Sequence, residues 1–145
     1  MIPNLLSPEV AHDLRQFVLS ENLQNDDQVD LPSNQNRWSF CIEIDHHESV
    51  QKASKEILSN PDFVQALTKI VGPNPAVTEF TAVTVSPGAK AQPFHADNGP
   101  GANRYSRSFF PTYSLFVALH NITQAMGATE YCPGMLLCVN ECVNE

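Results

Sequence analysis

Apolar positions in the first half of the chain repeat with two different periods. Val10, Leu14, Phe17 and Val18 recur at helical spacing behind Ser7-Pro8-Glu9. That triplet supplies a side-chain cap, a first-turn proline and a first-turn acid, so the pattern predicts a helix to about Glu21. Residues 22–36 are polar, contain Pro32 and keep no sustained period, and they read as a surface loop. From Arg37 to Ile44 the period shortens to two. Trp38, Phe40, Ile42 and Ile44 share one face and Arg37, Ser39, Cys41 and Glu43 the other, the signature of a half-buried strand. Helical spacing returns over about Glu48 to Leu58, with Val50, Ala53, Ile57 and Leu58 predicted inward. It appears again after Asn60-Pro61, where Phe63, Leu67, Ile70 and Val71 form a stripe that Gly72 ends. His46 and His47 fall in a connection and read as solvated loop histidines.

Beyond Gly72 the character changes. Pro73 and Pro75 punctuate the chain, and β-branched residues then dominate from Val77 to Val85. Ser86-Pro87-Gly88 predicts a turn, and Asp97 to Pro111 a long polar loop. Tyr113 to His120 is apolar enough to predict a strand buried on both faces. Thr129 to Cys132 and Met135 to Val139 are candidate short strands, the first closed by Pro133-Gly134. Helices first and strands afterwards predict an α+β fold, with a β-sandwich or barrel half.

Composition narrows the classes of function. Leu, Ile, Val and Phe make up 38 of 145 residues, sufficient for a core in one domain. Sixteen acids against eight bases give a net charge of −8, which argues against nucleic acid and against anionic membrane surfaces as partners. No apolar run approaches the length of a membrane span, and the N-terminus has neither the basic nor the long apolar region of a secretory signal. The expectation is a soluble, cytoplasmic protein. Cys41, Cys132, Cys138 and Cys142 suit a reducing compartment as free thiols, since the C-terminal spacings of six and four match no common zinc pattern.

The segment with the most chemistry is Ala91-Gln92-Pro93-Phe94-His95-Ala96-Asp97-Asn98. On an extended backbone, residues two apart project to the same side. The His95 imidazole and the Asp97 carboxylate can then converge on one metal ion as two members of a 2-His-1-carboxylate triad, a donor set suited to Fe(II). An H-x-D triplet also arises by chance; here it follows a β-branched strand and a Pro-Gly turn and precedes a polar loop, where an active-site mouth would lie. Arg104 and Arg107 in that loop read as solvated charges, or as groups meeting an anionic ligand bidentately. His120 reads as a buried or hydrogen-bonded structural histidine, and His12 as solvated.

Three spaced elements, SPGAKAQPFHADN, RSFFPTYSLFVALHNIT and AMGATEYCPG, resemble the phytanoyl-CoA dioxygenase-like branch of the Fe(II)/2-oxoglutarate oxygenases. In that family a G-A-x-x-Q-x-x-H-x-D stretch brings the first two metal ligands, and an M-G-x-T-x-x-x-P-G turn follows. The resemblance is specific over about Phe80 to Gly134 and looser over Arg37 to Gly72. It implies a partial double-stranded β-helix, of the jelly-roll or cupin-like kind, with the N-terminal helices packed on one sheet. It implies a single domain over residues 1–145, with a helical outer layer over about 1–72 and a β core carrying the H-x-D motif over about 75–139. His95 and Asp97 take the metal positions, and Gln92 and Arg107 are the candidates for contact with the co-substrate.

The implied function is Fe(II)/2-oxoglutarate-dependent hydroxylation of a small-molecule or lipid-like substrate. The family usually follows Pro-Gly with a small hydroxyl residue and a histidine, whereas Pro133-Gly134 is followed by Met135-Leu136. The family's second metal histidine and its 2-oxoglutarate-anchoring arginine lie beyond the point where Glu145 falls. The expectation is therefore a C-terminally shortened member, with about half of the eight core strands and exposed strand edges that favour self-association. A non-catalytic remnant or binding module of the same fold is the alternative. A cupin-like isomerase or metal-binding protein using other histidines is a further one.

Overall fold

A computed structural model describes residues 2–24, 36–93 and 113–130. Three α-helices and two strands appear in the order α1 (Pro8–Gln24), β1 (Arg37–Cys41), α2 (Glu48–Ser59), α3 (Pro61–Val71) and β2 (Thr81–Val85), followed by a 3-10 turn at Gln124–Met126. The chain divides into two units. One holds Met1–Lys90 with Leu115–Asn121, and the other holds Ala91–Ser114 with Ile122–Glu145. All the α-helices and both strands belong to the first unit, and the 3-10 turn belongs to the second.

Helices α1 and α3 begin where the sequence places their caps. The Ser7 hydroxyl accepts from Val10 N at 3.3 Å, and the Asn60 side chain accepts from Phe63 N at 3.0 Å ahead of Pro61. These bonds satisfy amides that have no partner within the helix. Gly72 ends α3 at φ 104°, a conformation that costs glycine little. On α1, Val10, Leu14, Phe17 and Val18 are buried, as their spacing predicts. On α2, Val50, Ala53 and Ile57 are buried, but Leu58 is exposed. The reason is geometric: Leu58 lies about 100° further round the helix than Ile57, off the face that meets α1.

The strands pair antiparallel, with Trp38 opposite Thr84 and Phe40 opposite Ala82. A bond from Ile42 N to Phe80 O at 2.7 Å extends the ladder. Phe40, Ile42, Phe80 and Ala82 therefore share one face, and that face closes the core formed by α1 and α2. Leu6 and Leu119 pack at its margin. The other face presents Ser39, Cys41, Val83 and Val85 to solvent.

Two further expectations are corrected. On α3 the predicted stripe is covered only at its start: Phe63 and Leu67 are half-buried, whereas Ile70 and Val71 are exposed, Ile70 by 58%. This helix packs on the end of α2, and its last turn runs past the small core. The segment Tyr113 to His120 is not a strand, and Phe116 is 73% exposed. A dense apolar run becomes a buried strand only where neighbouring strands take up its backbone hydrogen bonds, and the described residues provide no such ladder for it. The α+β class is borne out by three helices and one small antiparallel sheet. A double-stranded β-helix is not seen among the described residues. The candidate strand at residues 129–132 has no regular structure at 129 and 130 and otherwise lies outside the described residues, as does the one at 135–139.

Candidate functional site

The segment that leads toward the H-x-D motif starts from β2. After Val85 the chain reverses through Ser86-Pro87-Gly88-Ala89, where Ala89 N donates to Ser86 O at 3.2 Å. Proline at the second position and glycine at the third, with φ +93°, are the requirements of a type II turn. Lys90, Ala91, Gln92 and Pro93 follow, all exposed and outside regular structure. Gln92 is therefore open to solvent on the approach to the motif. His95, Asp97, Arg104 and Arg107 lie outside the described residues, as do Cys132, Cys138 and Cys142. Cys41 is a free thiol on the exposed face of β1.

Among the described residues, no three His, Cys, Asp or Glu side chains group so as to hold a metal ion. His120 is hydrogen-bonded as expected but exposed: its Nδ1 lies 2.8 Å from the carbonyl oxygen of its neighbour Asn121. His12 is exposed on α1. A shallow concavity of about 460 Å³ lies between residues 4–8 and the junction of α2 and α3. Its carboxylate, Glu56, is already engaged, accepting from Ser7 N at 2.7 Å and from Ser7 Oγ at 2.8 Å.

The histidine pair has a structural role that the pattern did not reveal. His47 caps α2, with Nδ1 accepting from Ser49 N at 3.2 Å and lying 2.8 Å from Ser49 Oγ. Its ring stacks on Phe17 of α1 at 4.4 Å, and the His46 ring is tilted to the same phenyl at 6.1 Å. His46 and His47 are exposed, as the sequence predicts, but His47 also serves as a cap and a packing group. The available signal was its place directly before Glu48, where a capping acceptor is needed. Beyond the cap, Lys52 pairs with Glu48 at 2.9 Å, and its hydrogen bond holds the Glu48 carboxyl below the usual carboxylate range.

No described helix is long and apolar enough to cross a membrane. No curated protein and no solved structure matches the chain. The sequence profile of the family described as Phytanoyl-CoA dioxygenase (PhyH) does match, over residues 2–135. That range contains α1, β1, α2, α3 and β2, the turn at Ser86–Ala89 and the whole H-x-D motif. Agreement this extensive, together with the ordered motif elements it spans, means that the chain belongs to the phytanoyl-CoA dioxygenase family.

Proposed function

We propose that the protein is an Fe(II)- and 2-oxoglutarate-dependent oxygenase that hydroxylates a small-molecule or lipid-like substrate, with His95 and Asp97 as its metal pair. The observation that carries this reading is the family match over residues 2–135, with both donors inside it. Imidazole nitrogen and carboxylate oxygen are the donor types that Fe(II) takes in such sites. Bound there, the metal and its co-substrate supply oxidising power for a C–H bond.

The protein's own tasks are to bind and to orient. His95 and Asp97 would hold the ion. Arg107 offers a guanidinium whose paired N–H donors match a carboxylate of the co-substrate. Gln92 offers an amide that both donates and accepts, next to the same site. The acidic overall charge does not oppose this, because recognition of the co-acid depends on one local cation.

The test is incubation of the purified protein with Fe(II), 2-oxoglutarate and O2, following succinate release. Turnover that disappears in His95→Ala and in Asp97→Ala is expected, as is a raised requirement for 2-oxoglutarate in Arg107→Ala. Retained 2-oxoglutarate binding with no succinate from the wild type would overturn the oxygenase reading in favour of a binding module.

A further inference from the structure

In the register of the two strands, Arg37 lies across from Val85, Ser39 from Val83 and Cys41 from Thr81. These six side chains point away from the helices, because Phe40 and Ala82, which alternate with them, face the core. Val83 is 56% and Val85 49% exposed, and Ser39, Cys41 and Thr81 are exposed beside them. The bond from Ile42 N to Phe80 O carries the alternation one step further: Ile42 is buried, so Glu43 follows on the outward face. Glu79 is held on that same side, its carboxylate accepting from the Thr81 hydroxyl. One end of the face is therefore basic, with Arg37, and the other is acidic, with Glu43 and Glu79. Val83 lies between them. Neither Arg37 nor Glu43 has an ion-pair partner among the described residues.

We propose that this face docks a second copy of the chain, sheet on sheet, about a two-fold axis that lies in the interface and runs across the strands. Such an axis reverses the strand direction. Arg37 of each copy then lies over the acidic end of the other, and both pairs form at once. With the strands running the same way, Arg37 would stack on Arg37 and Glu43 on Glu43, and like charges select against that arrangement. Val83 and Cys41 lie next to the axis and are covered, which removes apolar surface from water. From Arg37 to Glu43 the face is about 20 Å long, and it is only two strands wide. That is smaller than a standard interface, so the dimer is weak, with a dissociation constant of roughly 10–100 μM. Exposed ion pairs add little affinity, and these set the orientation.

Sedimentation equilibrium of the intact chain under reducing conditions, over roughly 5–500 μM, brackets that constant and tests the docking. The wild type is expected to pass from monomer to dimer and to stop there, since a two-fold interface closes on itself. Val83→Lys puts a charge in the middle of the face, and Arg37→Glu sets like charges over each other. Each is expected to weaken the dimer about tenfold or more, as is Glu43→Arg. Arg37→Glu combined with Glu43→Arg remakes the pairs with their signs exchanged and is expected to recover much of the lost affinity. All three positions lie outside the core, so melting temperatures should change little. A wild type that stays monomeric throughout overturns the docking, the face then being covered by the protein's own chain. A dimer that the single changes leave intact also overturns it, as does a loss that the double change does not recover at all, because another surface would then hold the copies together.

Discussion

Glu56 ties the start of α1 to α2 across 49 residues of sequence, and this tether permits a quantitative prediction. Its Oε2 takes Ser7 N at 2.7 Å and its Oε1 takes Ser7 Oγ at 2.8 Å. Hydrogen bonds to a charged acceptor contribute about 1.5–3 kcal/mol each when well formed. Both residues are half-buried, so the low end applies to each of the two bonds, and Glu56→Ala should cost about 3 kcal/mol. Ser7→Ala removes only the hydroxyl's bond and its long cap to Val10 N, because the Ser7 amide still donates; its cost should be about 1–1.5 kcal/mol. The bond between the two side chains is counted in both single changes, so the double variant should fall short of their sum by about 1 kcal/mol. Glu56→Gln should cost less than Glu56→Ala, since the amide oxygen still accepts from Ser7 N and the NH2 can donate to the Ser7 hydroxyl, which rotates to accept, so that chiefly the charge assistance is lost. Urea denaturation of the wild type, Glu56→Ala, Ser7→Ala and their double variant, followed by helical circular dichroism, measures the coupling. Additivity to within about 0.3 kcal/mol would refute the tether as an energetic link and leave it a proximity of two polar groups without consequence for stability.

Three other outcomes are expected. Val50 is 0% exposed in the α1–α2 core, and Val50→Ala should cost about 2 kcal/mol in urea denaturation, because two methyl groups leave a cavity that the backbone cannot close. His47→Ala should cost about 1 kcal/mol by the same assay through loss of the α2 cap, and His47→Asn, which also caps, should recover part of it; equal costs for the two would argue that stacking on Phe17 dominates. The Glu48 carboxyl, held down by its hydrogen bond from Lys52, should titrate below an ordinary glutamate by NMR. Because its folded value is lowered, the pair contributes above the ordinary carboxylate range and is lost as pH falls through that lowered value. Both groups are well exposed, so Glu48→Gln should leave the urea midpoint unchanged.

How far the sequence could be read depended on the range over which each signal acts. Caps, periods and turns act over a few residues, and the Ser7, Asn60 and Gly72 boundaries were legible, as was the turn that requires Gly88. His47 was harder to see because histidine is a rare cap and its partner Phe17 lies thirty residues away. The candidate site was legible as chemistry: His95 and Asp97 are donors of the right type at the right spacing, and both lie within the family match. The left-handed Asn36 was not legible at all, since the bond its carbonyl accepts from Ser86 N exists only once β1 and β2 pair.

The order of α1, β1, α2, α3 and β2, the buried stripe of α1, the inward residues 50, 53 and 57 of α2 and the family were legible in the sequence alone, because periodicity and short motifs are local properties of the chain. Only the tertiary structure decided how much apolar surface is covered. Leu58, Ile70 and Phe116 carry the same apolar chemistry as Ile57, yet they stay exposed because burial needs a neighbour on the correct side. The tertiary structure likewise decided that Ser7 meets Glu56 and that Asn36 meets Gly88. Such contacts join residues about fifty positions apart, and they form only once helix packing and strand pairing have brought the two parts of the chain together.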